Sequence, residues 1–252
     1  MKQWVSLRKP KELVSPSLRV PFFIAISVGI VQQITGINAV FFYAPTIFEQ
    51  SGVGTNAAFA QATVVGLTNV LFTVVAMVLI DRLGRKPLLI AGLAGIIVSM
   101  SLVSYGFGQA TYTLTETSVS ALEIDAKSKD NLMALSDTVF QSDVAFKRAV
   151  ATQIDPQVAR NQESAIIASA ISVNAVLVLA GILGFVASFA ISLGPVMWVL
   201  FSEVFPNRIR GIAIGVATIF NSGASFLVQF LFPWQLNPFG SSATFALFAI
   251  VG

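Results

Sequence analysis

From Pro21 to Phe48 the chain reads PFFIAISVGIVQQITGINAVFFYAPTIF. That apolar run is long enough to cross a bilayer, which takes about 20 residues of helix. Two adjacent glutamines lie near its middle, in Gln32-Gln33-Ile34-Thr35-Gly36-Ile37-Asn38. A buried amide without a partner costs roughly 1–3 kcal/mol by mutational measures. The cost rises in lipid, so these side chains must face protein or water. At about 100° per residue, Gln32, Thr35, Asn38, Phe42 and Tyr43 fall on one side of a helix, with Gln33 on its flank. The stripe offers amide donors and acceptors, a hydroxyl and aromatic edges, and no charge. Neutral groups of both kinds suit a ligand rich in hydroxyls. They equally suit hydrogen bonds between helices inside a membrane, and this helix alone leaves both readings open.

The composition extends the membrane reading to the whole chain. Of 252 residues, 55% are hydrophobic and only 11% charged, and the mean hydropathy is +0.81. Soluble domains carry about a quarter charged residues. There is no cysteine and no histidine, which removes thiolate chemistry, disulfides and imidazole catalysis or ligation. The net charge of +3 is compatible with nucleic acid. The basic residues lie between apolar runs, however, and argue for membrane loops, with no nucleic-acid partner. The first run is too long for a cleavable signal.

Further runs follow at about 59–80 and 88–107, within 165–201, and at about 211–234. A last one begins near Ala243. These predict an all-α, polytopic membrane helix bundle. Residues 1–20 form a basic segment and 21–107 three transmembrane helices. Residues 108–163 are a polar insertion with short surface helices, in which Asp155-Pro156 reads as an N-cap followed by proline at the first helical position. Residues 164–252 hold two complete transmembrane helices and one cut short. Ten of the fifteen basic residues lie before the first span, in the turn at Asp81 and in the loop near Glu203. Lysine and arginine in short loops mark the cytoplasmic side, which places 1–20 inside and 108–163 outside.

No Asp, Glu, Lys or Arg falls inside these spans. Intramembrane ionisable residues mark ion and proton paths, and none is present. Paired acids, a Ser-His pair or a metal-ligand set is missing too, so the chain does not read as an enzyme and implies no cofactor. The polar groups left for function are Gln32, Gln33, Thr35, Asn38, Tyr43, Asn69, Asn174, Trp198, Asn221 and Gln229.

Four motifs in order resemble the sugar porter family of the major facilitator superfamily. Gln32 to Asn38 is similar to the family's seventh-helix signature. Asp81-Arg82-Leu83-Gly84-Arg85-Lys86-Pro87 resembles the signature between its eighth and ninth helices. Gly194-Pro195-Val196-Met197-Trp198 is similar to the tenth-helix break and tryptophan, and Glu203 to Gly211 to the loop after it. The resemblance implies the C-terminal half of a twelve-helix transporter, with the first six helices outside this sequence and the twelfth incomplete. The implied location is the plasma membrane, or the inner membrane in a Gram-negative source.

The implied sugar ligands are Gln32, Gln33, Asn38, Asn69, Trp198 and Asn221. Gly194 and Pro195 match the gate-helix hinge, although a proline kink tolerated in a membrane helix needs no gate. Asp81, Arg82, Gly84 and Arg85 match a cytoplasmic latch closed with Glu203 and Arg210, although as plain topology anchors they need no latch. Three departures bear on the preferred sugar. Ser222 stands where many members have tryptophan, Phe42 where some have tyrosine, and Ala190 where facilitative animal members have glutamate.

The implied function is transport of a monosaccharide, a hexose or pentose, by alternating access. The proton-binding carboxylate of symporting members lies in the other half. Two other functions fit the same residues: a membrane sugar sensor on this fold, and a membrane assembly fragment that carries no substrate.

Overall fold

The computed structural model describes residues 15–51 and 55–252. The basic residues Lys2, Arg8, Lys9 and Lys11 and most of the turn expected at Gly52 lie outside the described residues. The described residues form an all-α bundle with five helical segments long and apolar enough to cross a membrane. A shorter apolar helix, Gly240–Val251, follows them.

The first apolar run is two helices, not the single helix expected from its length. α1 is Arg19–Ile34 and α2 is Ile37–Glu49. Gly36 separates them with φ +88°, and a Cβ built there would lie 2.8 Å from the Phe248 ring. The left-handed conformation and the close ring both require glycine. The Thr35 hydroxyl, wholly buried, turns back to donate to the Gln32 carbonyl at 2.7 Å. Thr35 therefore leaves the polar stripe, and Phe42 points outward, 70% exposed.

α3 (Thr55–Leu83) and α4 (Arg85–Gly108) form a hairpin around Gly84, whose φ is +82°. α3 leaves Leu67, Val70, Leu71, Val74 and Met77 exposed. In water such a face would be unfavourable by about 25 cal/mol per Å².

The chain next enters the insertion, a folded unit with its own core. Its helices are α5 (Glu116–Ala121), α6 (Ala126–Met133), α7 (Asp143–Gln153), α8 (Pro156–Asn161) and α9 (Glu163–Ala170). Four have side-chain N-caps, from Thr115, Asp125, Ser142 and Asp155. Each cap satisfies an N–H that the first turn leaves free. Asp155 accepts from Gln157 N at 2.7 Å with Pro156 at the first position. Two-residue strands β1 (Thr111–Tyr112) and β2 (Ile171–Ser172) pair antiparallel, with Thr111 opposite Ser172. Tyr112 and Phe146 stack at 5.6 Å above Leu114, Leu132, Val150, Ile166 and Ile167.

The insertion thus reaches Asn174, beyond the expected limit at residue 163. Ile166 and Ile167 are apolar because they fill this core, not because they meet lipid. Asn174, counted from sequence among the functional amides, is an N-cap that accepts from Leu177 N at 3.0 Å.

α10 (Ala175–Ile191) and α11 (Leu193–Val204) divide another run expected as one span. α10 lies along α4 in a close seam: Cβ atoms built on Gly92, Gly95 and Gly184 would overlap Ser192, Ser188 and Ser99. Small residues let membrane helices approach in this way. α12 (Arg210–Leu236) packs on α1, and α13 (Gly240–Val251) packs on α4. There Ser104 and Ser242 exchange hydroxyl-to-carbonyl hydrogen bonds of 2.8 and 2.9 Å.

Candidate functional site

The breaks in the first and fourth spans face each other. Gln32, in the last turn of α1, donates from Nε2 to the carbonyl of Leu193, the first residue of α11, at 3.1 Å. The α10–α11 break falls at Ser192, with ψ −97°. Pro195 is therefore in the first turn of a new helix, where a missing N–H costs nothing. The helix break lies at Ser192, two residues before Gly194-Pro195, and not at the proline.

Around this junction the amides form one network. Gln32 Oε1 accepts from Gln33 Nε2 at 3.1 Å and from Asn221 Nδ2 at 2.8 Å. Gln33 Nε2 also donates to Asn221 Oδ1, and Gln33 Oε1 accepts from Asn38 Nδ2 at 2.7 Å. Asn221 Nδ2 reaches the Gly29 carbonyl at 2.8 Å. This is possible because α1 and α12 touch at Gly29: a Cβ there would lie 3.4 Å from that of Asn221. Gln32, Gln33 and Asn221 are buried.

The network continues along α12. Ser225 Oγ accepts from Asn38 Nδ2 at 2.7 Å and from Gln229 Nε2 at 2.8 Å. With both lone pairs filled, the Ser225 hydroxyl hydrogen is left to donate. Among the described residues, the side-chain oxygens of Asn38 and Gln229 accept no hydrogen bond. These open groups face a cavity of about 490 Å³ lined by Gln33, Asn38, Tyr43, Asn221, Ser225 and Gln229 with Ser222, Phe226 and Phe230. Phe226 and Phe230 stack at 5.9 Å and form an apolar wall. Among the described residues, no carboxylate, ammonium or guanidinium lines it.

The structure brings together Gln32, Gln33, Asn38 and Asn221 of the expected ligands. Gln33, placed by a continuous helix on the flank, is at the centre, because the break at Gly36 turns the Asn38 amide onto it. Gln32 sits behind the wall. Asn69, partly exposed on α3, does not line this cavity, and neither does Trp198. The Trp198 ring is half-exposed on α11 and meets Phe201 edge-on at 5.8 Å. Ser225 was not anticipated, and Gln229 had no assigned place. The legible signal was the four-residue spacing of Asn221, Ser225 and Gln229, which gives one face of a helix.

At the start of α4, Arg85 pairs with Glu203 of α11, both about 40% exposed. Asp81 and Arg82 are exposed at the end of α3. Arg210 Nε donates to the Phe205 carbonyl at 3.3 Å. Of the expected latch, the Arg85–Glu203 contact is formed, and Arg210 caps its own loop.

A family model described as "Sugar (and other) transporter" matches residues 2–136 and 154–252. The chain belongs to that family. Its unmatched interval falls within the insertion, over α7. The arabinose-proton symporter of Bacillus subtilis is 30% identical over 95% of this chain and 39% of its own length. The D-xylose-proton symporter of Escherichia coli K12 is 30% identical over 91% of this chain and 35% of its own. A crystal structure of a D-xylose-proton symporter superposes with a TM-score of 0.62 at 27% identity, covering 95% of this chain and 42% of that one. The chain thus spans about two-fifths of the length of the curated relatives it matches. As a member of this transporter family it is an integral membrane protein, not an enzyme.

Proposed function

We propose that this chain forms one half of a monosaccharide transporter and carries a sugar-binding wall made of Gln33, Asn38, Asn221, Ser225 and Gln229. The observation that carries this reading is the uncharged cavity edged by unused amide oxygens and a free hydroxyl hydrogen. A sugar hydroxyl donates and accepts at once, and this wall does both. Gln32 holds the wall in position. The relatives' names, which include arabinose, D-xylose and glucose, point to pentoses or hexoses as the substrate class.

The facing wall belongs to a complementary six-helix half, and Asn69 and Trp198 approach the sugar only in that assembly. Transport then proceeds by rocking one half against the other about a site near the midplane. The breaks at Gly36 and Ser192 are where the helices lining the site can bend. The Arg85–Glu203 pair latches the cytoplasmic side, with Asp81, Arg82, Gly84 and Arg210 shaping the loops beside it. One exposed pair contributes about 0–1 kcal/mol, so the latch biases the equilibrium only as part of a network with the other half. Residues 1–20 and both latch loops are cytoplasmic, and the insertion is extracytoplasmic. Proton coupling, where present, uses a carboxylate of the complementary half.

The test is uptake in vesicles containing this chain with a matching six-helix half. Saturable, stereospecific uptake of a pentose or hexose is expected. Asn38→Ala should weaken sugar affinity roughly five- to a hundred-fold, as for a buried polar partner lost. Unchanged affinity in both Gln33→Ala and Asn38→Ala would overturn the assignment.

A further inference from the structure

The insertion and the α12–α13 connection enclose a second cavity, of about 380 Å³. Its floor is apolar, with Ala151 of α7 and Pro156 and Ala159 of α8 accessible and Val150, Ile166 and Ile167 buried behind them. Its polar wall is Lys147, Arg160, Glu163 and Asn237. Lys147 and Glu163 neutralise each other, Nζ to Oε1 at 2.8 Å. Arg160 ends α8 exposed, with no carboxylate partner among the described residues. One uncompensated guanidinium therefore stands over an apolar floor.

Asn237 immediately follows the α12 span. Trp234 and Phe239, on either side of it, meet edge-on at 6.5 Å and are more than half exposed. Aromatic side chains at the end of a span belong at headgroup level, so the cavity lies at the bilayer surface. Its occupant must pair an anionic head with the guanidinium and lay apolar substance on the floor. Arginine matches phosphate oxygens bidentately, and the Asn237 amide adds a donor from the membrane side. The Glu163 carboxylate, the one anionic group of the lining among the described residues, is already held by Lys147 and does not select a choline.

We propose that this cavity holds the phosphate head of an anionic phospholipid, which joins the insertion to the α12–α13 connection. The full chain, purified in micelles doped equally with phosphatidylglycerol and phosphatidylcholine, provides the test by native mass spectrometry. Phosphatidylglycerol should be retained over phosphatidylcholine, and Arg160→Gln should weaken its retention at least about tenfold. Arg148→Gln removes the same charge from the exposed side of α7 and should change nothing. Equal retention by the two variants, or equal retention of the two lipids, overturns the proposal. Displacement of the lipid by millimolar glycerol phosphate would overturn it in favour of a soluble phosphate ester.

Discussion

Asp143 of the insertion accepts two hydrogen bonds from Ser241 of α13: Oδ2 receives the backbone N–H at 2.7 Å and the hydroxyl at 3.1 Å. The residue before α13, Phe239, supplies no side-chain cap. A carboxylate far away in sequence therefore caps a membrane helix from outside and meets the positive end of its dipole. The insertion is fastened to the bundle at this point. The preceding Gly240 has φ +76°, and a Cβ there would lie 2.2 Å from Asp143 Oδ1.

Asp143→Ala should therefore lower the stability of the purified chain by about 1–3 kcal/mol, the range for a buried donor left unpaired. Asp143→Asn keeps an acceptor and should lose less. Gly240→Ala should lose at least as much as Asp143→Ala, through strain and overlap together. Thermal unfolding and protease cleavage within the insertion report both. An Asp143→Ala chain as stable and as protected as the parent would remove the anchoring role.

The seam between α4 and α10 predicts a sharp contrast among glycines. A Cβ on Gly92 would lie 1.9 Å from Ser192 Oγ and 2.9 Å from the Ser188 carbonyl. Gly92→Val should destabilise the bundle by about 1–3 kcal/mol or more through overpacking. Gly215 in α12 has nothing within 4 Å of its Cβ position, so Gly215→Val should leave the melting temperature nearly unchanged. Similar melting temperatures for the two variants would contradict the seam.

Gln32 and Ser225 should separate scaffold from wall. Gln32 is buried and ties α1 to α11 and α12, so Gln32→Ala should reduce folded yield along with sugar affinity. Ser225 lines the cavity. Ser225→Ala should keep the yield and weaken affinity roughly two- to tenfold, as for one neutral hydrogen bond. Ligand titrations on the assembled transporter, compared with size-exclusion profiles, distinguish these outcomes. The opposite pattern would exchange the two roles.

Tyr112 gives the insertion an alkaline limit. Burial, and then the charge of Asp143, raise its phenol well above the usual value of 10.0. A folded-state pKa above the unfolded one stabilises the fold fully below about pH 10 and progressively less above it. Protease resistance of the insertion should accordingly decline as pH rises beyond 10, and Tyr112→Phe should flatten that decline. Tyrosinate absorbance should show an ionisation above the usual range that Tyr112→Phe removes. A Tyr112→Phe chain with the same alkaline loss would assign the effect elsewhere.

The sequence by itself determined the class of the protein. Apolar runs of span length, charges kept outside those runs and the Gln32 to Asn38 motif specify a membrane bundle, because lipid permits no unpaired backbone and few charges. Local grammar was equally legible: Asp155-Pro156 caps α8 as read, since a cap depends only on near neighbours. The tertiary structure alone decided what depends on distant partners. Whether Ile166 and Ile167 meet lipid or a private core is not a property of their own sequence, because both environments reward the same side chains. Gln33 moved to the centre of the network because Gly36 breaks the helix against Phe248, a residue more than two hundred positions away. Ser225 and Gln229 joined Asn38 because Gly29 lets α12 approach α1. Periodicity assigns a residue to a face of its own helix, and only packing decides what that face meets.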